Sequence, residues 1–264
     1  MMNIERIQTI IQKEWAEVFK NRIVIFTITA LPLLLAALPL GIFAAGRGGL
    51  PAGDLSDLPP AMMKACGGLS ANACLQLYIL NQFLPLFMLM PIFIPMAIAA
   101  YSIVGEKTTR SLEPLLATPI TTEELLAGKA LAAVIPAVLA TWAAFLIFIV
   151  GAPLLGAEPI VFISALNQTW LIAIFIIGPL LSVLSVNFAL MVSSRVNDPR
   201  VAEQISGVLI VPILGFVFGQ LTGFIIVNVQ FMLTTALVLA AIDVALIFLG
   251  ARLFQRENIL TKWK

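Results

Sequence analysis

The sequence predicts an all-α integral membrane protein with six transmembrane helices and both termini in the cytoplasm. Of the 264 residues, 61% are hydrophobic and only 11% are charged, whereas a soluble domain is about 25% charged. A helix rises about 1.5 Å per residue, so a run of about 20 apolar residues crosses a hydrocarbon core of about 30 Å. Six such runs follow one another, at 23–45, 81–104, 130–151, 167–193, 204–226 and 231–250.

The orientation follows from the positions of the basic residues. The chain has 15 Lys and Arg residues, and all of them except Arg47 and Lys64 fall in the segments that six crossings place on one side. The positive-inside rule assigns that side to the cytoplasm. The first apolar run is much longer than the core of a signal peptide and has no convincing cleavage site, so we expect it to be retained as a membrane anchor.

The first 22 residues predict an amphipathic helix that precedes the membrane domain. Apolar side chains recur every three or four residues along one face, at Ile4, Ile7, Ile11, Trp15, Val18 and Phe19. Such a helix lies in the headgroup region with Trp15 as an anchor, or else packs on its own protein in the cytosol. The predicted organisation is this helix at 1–22, a six-helix membrane domain at 23–252 and a cytoplasmic tail at 253–264.

The long connection after the first crossing, residues 46–80, is predicted to lie outside the cytoplasm. It is rich in Gly and Pro and contains both cysteines of the chain, Cys66 and Cys74. If the chain folds back at Gly67 and Gly68, the two thiols come close enough for a disulfide bond. On one continuous helix they would lie about 12 Å apart and would stay unbonded. The sequence leaves both arrangements open.

The cytoplasmic connection 105–129 is too patterned for a plain linker. Thr121 and Glu124 form a capping-box sequence, which predicts that a helix starts there and continues into the third crossing. Pro119 ends any helix before it, so a separate short helix is predicted at 112–117. This protrusion has apolar anchors suited to a groove on a partner, namely Leu115, Leu116 and Ile120. Its charged rim consists of Glu106, Arg110, Glu113 and Glu123.

This loop carries a family resemblance. The stretch E-K-x-x-x-x-L-E-P-L-L-A-T-P-I-x-x-x-E-L-L-x-G-K, residues 106–129, resembles the first cytoplasmic loop of ABC type-2 exporter permeases. The amphipathic N-terminal helix, the six crossings and the sequence S-S-R-V-N-D-P-R at 193–200 are similar to that family as well. The resemblance implies the ABC type-2 exporter permease fold.

It also implies a coupling helix in this loop that docks on a separate ATPase subunit. The coupling residues would be Glu106, Arg110, Leu112, Glu113, Leu115, Leu116, Thr118, Pro119, Ile120 and Glu123. The alternative is a loop helix that only stabilises its own bundle. The implied assembly is an exporter in the inner or plasma membrane, with two ATPase chains that hold ATP and Mg²⁺ and a second permease, identical or related.

By the same resemblance, the translocation path would run between two permeases, along the second and fifth crossings of each. Its candidate lining residues are Phe87, Met88, Phe216 and Gln220. Aromatic and Met side chains in apolar helices more often serve packing, so the packing alternative stays open.

Polar residues within the apolar runs are few. Asp243 is expected near mid-membrane, facing the bundle or a wet cavity because an unpaired carboxylate is costly in lipid. Asn187, Ser182 and Ser185 are its expected hydrogen-bond partners. Asp243 serves either a structural role or an ion path. An ion-coupled secondary transporter that uses Asp243 and a non-transporting assembly subunit are therefore the alternative functions.

Several kinds of chemistry are not expected in this chain. The only Gly-Lys pair, Gly128 and Lys129, lacks the rest of a P-loop, so ATP hydrolysis is assigned to the partner ATPase. The sequence has no His, which argues against catalytic triads and against zinc or haem sites. We expect no bound cofactor, no metal and no enzymatic activity in this chain. The net charge of only +1 does not suggest a basic surface that would bind nucleic acid. We expect membrane lipid to surround the protein.

Overall fold

The structure is a computed structural model that describes residues 3–20, 22–46, 69–108, 120–222, 224–225 and 227–253. These residues form helices and turns and contain no strand. The helices are α1 Ile4–Val18, α2 Arg22–Ala45, α3 Ala71–Phe87, α4 Met90–Thr108, α5 Thr122–Leu154, α6 Pro159–Ala165, α7 Gln168–Ile172, α8 Gly178–Arg195, α9 Pro199–Ser206, α10 Ile210–Leu221 and α11 Val229–Leu253.

Within this described part, six helical stretches are long and apolar enough to cross a membrane. They are α2, α3 with α4, α5, α7 with α8, α9 with α10, and α11. We call them the first to sixth crossings. The prediction of an all-α protein with six transmembrane helices is therefore confirmed in element number, type and order.

The second crossing differs most from the prediction. Its helix begins at Ala71, whereas the sequence predicted a connection as far as residue 80. Ser70 caps the helix by accepting a hydrogen bond from the backbone N–H of Ala73 at 3.1 Å. The crossing is interrupted at Met88 and Leu89, between Pro85 and Pro91. Each proline lacks the N–H that a continuous helix requires.

The fourth crossing contains a single wide turn of π-helix at Ala173–Ile177. It lies directly before Gly178 and Pro179, at the start of α8. Such turns insert one extra residue into an α-helix. The short helix α6, which precedes this crossing, was not predicted from the sequence.

The second crossing lies at the centre of the bundle, against the first, third and fourth crossings. Serine hydroxyls join α4 to α8: Ser185 donates to the carbonyl of Ile92 at 2.7 Å, and Ser193 donates to the carbonyl of Ala100 at 3.0 Å. An aromatic cluster fills the core beside them. Its buried members Phe87, Phe148 and Trp170 have ring centroids 5.7 to 6.1 Å apart.

Candidate functional site at the base of the 105–129 loop

Most residues that the sequence assigned to ATPase coupling lie outside the described part of the chain. These are Arg110, Leu112, Glu113, Leu115, Leu116, Thr118 and Pro119, and the short helix predicted at 112–117 lies there too. Glu106 belongs to the last turns of α4. Ile120 is half-buried and Glu123 is exposed on the first turn of α5. The described part of the site is therefore the base of the loop, where α4 enters it and α5 leaves it.

The base is held by three polar side chains from three helices, Glu14 of α1, Ser102 of α4 and Lys129 of α5. We call them the loop junction. The Lys129 ammonium donates to Glu14 Oε1 at 2.8 Å, to Ser102 Oγ at 2.8 Å and to the Ser102 carbonyl at 3.2 Å. Ser102 Oγ in turn donates to Glu14 Oε2 at 2.9 Å. The junction thus ties both flanks of the loop to α1.

The burial of this junction sets its energetics. The side chains of Lys129 and Glu14 are 1% and 5% exposed. A buried ion pair recovers its desolvation cost only when its remaining donors and acceptors are satisfied. An ammonium has three N–H donors, and three contacts to Lys129 are present. Loss of either charge would leave the other charge buried and uncompensated, so the junction fixes the relative position of the three helices.

A second polar contact lies at the first turn of α5. Glu124, 1% exposed, accepts from the backbone N–H of Thr121 at 3.0 Å and of Asn3 at 2.8 Å. Arg6 Nη1 donates to Glu124 Oε2 at 3.4 Å, the same oxygen that accepts from Thr121. The Glu124 N–H bonds Thr121 Oγ1 at 3.2 Å, so the predicted capping box is confirmed. The cap therefore also anchors the start of α1.

Between these two polar contacts, α1 packs closely on α5. A Cβ atom added to Gly128 would lie 2.7 Å from Ile10 Cγ2, so only glycine fits this contact. Further along, the Trp15 indole N–H donates to the carbonyl of Ala132 at 2.9 Å. The face of α1 that carries Ile10 and Glu14 therefore packs on α5, and a position of α1 in the headgroup region stays a prediction. Ile4 and Phe19 of the predicted apolar stripe are exposed.

The S-S-R-V-N-D-P-R sequence lies beside the same end of the bundle. Ser193 accepts from the backbone N–H of Val104 at 3.3 Å while it donates to Ala100, so its hydroxyl bridges two groups that bond each other in a regular helix. Asp198 caps α9 by accepting from the N–H of Arg200 at 2.8 Å. Ala202 of α9 then packs against Ala100 and Val104. The motif therefore attaches the fifth crossing to the end of α4 that leads into the 105–129 loop.

The intramembrane carboxylate is buried as expected, but its expected partners bond elsewhere. Asp243 is 4% exposed, and neither of its oxygens has a hydrogen-bond partner within the described ranges. Asn187 donates to its own helix at the Val183 carbonyl, 2.8 Å away. Ser182 donates to Gly178 and Ser185 to Ile92. The predicted pairing was wrong, since each of these groups donates to a backbone carbonyl instead.

The candidate path residues occupy different environments. Phe87 and Met88 are buried in the core of the bundle, which favours the packing alternative for both. Phe216 is partly buried, and its ring stacks on Phe231 at 5.6 Å. Gln220 donates to the backbone carbonyl of Asn81 at 2.8 Å, a contact that joins the fifth crossing to the second. A role in a path stays a prediction for all four residues.

Two further predictions concern cysteine and metal. Cys74 takes part in a disulfide bond. The only other cysteine in the sequence, Cys66, lies outside the described residues, so the Cys66–Cys74 pairing stays a prediction. Among the residues that the structure describes, no group of three or more His, Cys, Asp or Glu side chains is placed to hold a metal ion.

Sequence reasoning missed the loop junction itself. The sequence patterns place Lys129 among the basic residues of the loop side and at the end of the 106–129 motif, and they assign no role to Glu14 or Ser102. The available signal was Glu14, seven residues after Ile7 and four after Ile10, where the helical period predicts a buried apolar residue. An acidic residue at such a position calls for a basic partner. The sequence does not reveal which of its 15 basic residues that partner is.

These observations define a class of protein: a multi-pass membrane protein whose described part has six helices long and apolar enough to cross a bilayer. The family comparison is more specific. The family model described as ABC-2 family transporter protein matches residues 8–234, and the chain belongs to that family. It is therefore the permease subunit of an ABC transporter and a partner of an ABC ATPase subunit, not itself an enzyme. A comparison with curated protein sequences gave no match.

Proposed function

We propose that this permease subunit serves an ATP-driven exporter and that the 105–129 loop transmits movement of the ATPase to the bundle. The loop junction is the observation that supports this proposal. A force applied between α4 and α5 reaches three helices together, because Glu14, Ser102 and Lys129 are held by hydrogen bonds of 2.8 to 3.2 Å. A loop without a mechanical role would gain little from an expensive buried ion pair at its base.

The remaining parts of the proposal follow from the family resemblance and from the charge distribution. Two ATPase chains would bind ATP and Mg²⁺, and a second permease, identical or related, would complete the path between the second and fifth crossings. Glu106, Arg110, Leu112, Glu113, Leu115, Leu116, Thr118, Pro119, Ile120 and Glu123 would form the docking surface. The positive-inside rule favours a cytoplasmic position for that surface, and the family resemblance implies the inner or plasma membrane for the chain.

A pull-down of the partner ATPase tests the docking surface. The double change Glu113→Lys and Leu115→Asp reverses one rim charge and places a carboxylate on an apolar anchor. Anchors of this kind carry most of the energy of an interface. We therefore expect recovery of the ATPase with the tagged permease to fall at least tenfold, with the permease still inserted in the membrane.

The matched control makes the same two changes at the other end of the bundle, Glu158→Lys and Leu166→Asp. Glu158 is half-buried and Leu166 is exposed, and both flank α6, far from the loop. This control should leave ATPase recovery unchanged. Equal recovery with the loop variant and the control would rule out the assigned docking surface.

A further inference from the structure

Three prolines in the bundle leave backbone carbonyls without their usual partner, and in each case a side chain from another helix bonds the freed oxygen. Pro136 of α5 cannot donate to Ala132, which is four residues earlier. The indole N–H of Trp15 donates to that carbonyl instead, at 2.9 Å. The attachment of α1 to α5 therefore depends on a gap in the α5 hydrogen-bond ladder.

The same arrangement recurs at the π turn of the fourth crossing. The N–H of Gly178 bonds the carbonyl of Ala173, so Ile174 would need the next N–H along the chain. That position is Pro179, which has none. The indole N–H of Trp142 in α5 donates to the Ile174 carbonyl at 3.2 Å.

The third case joins the second and fifth crossings. Pro85 lies inside α3 and leaves the carbonyl of Asn81 free. Gln220, near the end of α10, donates to that carbonyl through Nε2 at 2.8 Å. An unpaired carbonyl is costly where no water reaches it, so this bond favours contact between the two crossings.

Two features of the fifth crossing would allow it to move relative to the second crossing. Its helix α10 has no fully buried residue, so side-chain packing holds it less firmly than its neighbours. A tighter 3₁₀ turn at Gly207–Leu209 interrupts the crossing between α9 and α10, and such interruptions often mark hinges. Gln220 lies at the other end of α10, about 16 Å from that turn at 1.5 Å per residue.

We propose that Gln220 is a latch that holds the fifth crossing on the second, and that its release from the Asn81 carbonyl accompanies opening at the end of the bundle remote from Lys129. The inference rests on the proposed function in assigning a path to these two crossings. Breaking the bond is costly unless the freed carbonyl and amide find new hydrogen-bond partners. The contact should therefore open only when water or a polar solute enters the space between the two crossings. The amide oxygens of Gln220 and Gln82 are also buried without partners in the described part of the chain.

A double-mutant cycle between Gln220 and Pro85 tests the latch in the purified full chain. In Pro85→Ala, residue 85 regains an N–H that bonds the Asn81 carbonyl within α3, so Gln220 is no longer required. We expect Gln220→Leu to raise amide hydrogen exchange across residues 78–84 roughly tenfold in the Pro85 background, and less than about twofold in the Pro85→Ala background.

Gln204→Leu is the matched control, since Gln204 is exposed on the same crossing, and it should leave the exchange unchanged. If Gln220→Leu alone does not fold, recovery of the protein in the double variant supports the latch equally. An equal effect of Gln220→Leu in both backgrounds, or no effect in either, would overturn it. None of these measurements requires the ATPase, so they stand apart from the test of the proposed function.

The release step is tested in the complex with the ATPase. A non-hydrolysable ATP analogue should raise exchange across residues 78–84 in the wild-type complex by about the same factor as Gln220→Leu. The increase should be lost in the Pro85→Ala complex. Exchange that nucleotide leaves unchanged in the wild type would refute release as part of opening.

Discussion

Two oppositely charged side chains, Glu14 and Lys129, are buried together at the base of the loop. They satisfy each other and Ser102 across three helices, at distances of 2.8 to 3.2 Å. Replacing such a pair with apolar residues of similar volume is often nearly neutral, whereas breaking it is strongly destabilising. The pair therefore fixes where α1 sits and adds little to net stability.

Removal of one charge should destabilise the protein much more than replacement of both charges by apolar residues. Lys129→Met keeps the length of the side chain but leaves the Glu14 carboxylate buried without its cation. We expect the free energy of unfolding to fall by about 3 to 5 kcal/mol. Titration of the purified protein with sodium dodecyl sulfate, followed by circular dichroism, measures the change.

Lys13→Met is the matched control, because Lys13 forms a 3.7 Å pair with Glu17 in which both side chains are more than a third exposed. Its effect should stay below about 1 kcal/mol. The double variant Lys129→Met with Glu14→Leu should recover most of the lost stability. A single variant as stable as the control would show that the junction does not constrain α1.

Residue-level prediction from the sequence succeeded where the signal was local. Thr121 and Glu124 are three residues apart, and their reciprocal hydrogen bonds follow from that spacing alone. Glu14 and Lys129 are separated by most of the first half of the chain, and only the fold brings them together. The same limit explains Asp243: its burial followed from its charge, but the competing carbonyls that occupy Asn187 and Ser185 were not visible in the sequence.

At the scale of elements, the contact between α1 and α5 depends on a glycine. Gly128→Ala would place a methyl group 2.7 Å from Ile10 Cγ2, so α1 must shift or the Ile10 side chain must rotate. Overpacking of this kind costs about 1 to 3 kcal/mol. We expect faster proteolysis between α1 and α2 in detergent, measured by the half-life of the intact chain.

Gly41→Ala serves as the control, because a Cβ atom at that position meets nothing within 4 Å. Ile10→Val in the Gly128→Ala background removes part of the crowding and should restore much of the resistance to protease. If Gly128→Ala resists proteolysis as well as the control, then close packing of α1 on α5 is not what holds it.

Element boundaries were predictable where a cap or a charge marks them, and less so where prolines interrupt a helix. The start of α5 at Thr122 and the first crossing at Arg22–Ala45 agree with the sequence. The break at Met88 and the π turn before Pro179 did not emerge from hydropathy, since proline lowers the apolar average only slightly. The backbone carbonyls that the prolines leave free are bonded by donors from other helices, such as Trp142 and Gln220. These donors are distant in sequence, so a local sequence pattern does not reveal them.

At the scale of the whole molecule, the loop junction and the latch lie at opposite ends of the second crossing. Ser102 belongs to the end where α4 meets the loop, and Asn81 lies 21 residues earlier, about 30 Å away at 1.5 Å per residue. The second crossing therefore connects the two contacts, and a displacement at the loop can reach Gln220 through α4 and then α3. Because the helix is interrupted at Met88 and Leu89, α3 and α4 need not move as a single rigid body.

Everything proposed for the loop depends on the orientation of the bundle in the membrane. All Lys and Arg residues except Arg47 and Lys64 fall on the loop side, so the positive-inside rule places that side in the cytoplasm. Single cysteines at two exposed positions test this, Glu123→Cys at the loop end and Gln168→Cys at the far end, in a background that lacks Cys66 and Cys74. In sealed right-side-out vesicles, an impermeant maleimide should label residue 168 at once and residue 123 only after lysis. The reverse pattern would place the 105–129 loop outside, where no ATP-driven subunit could reach it.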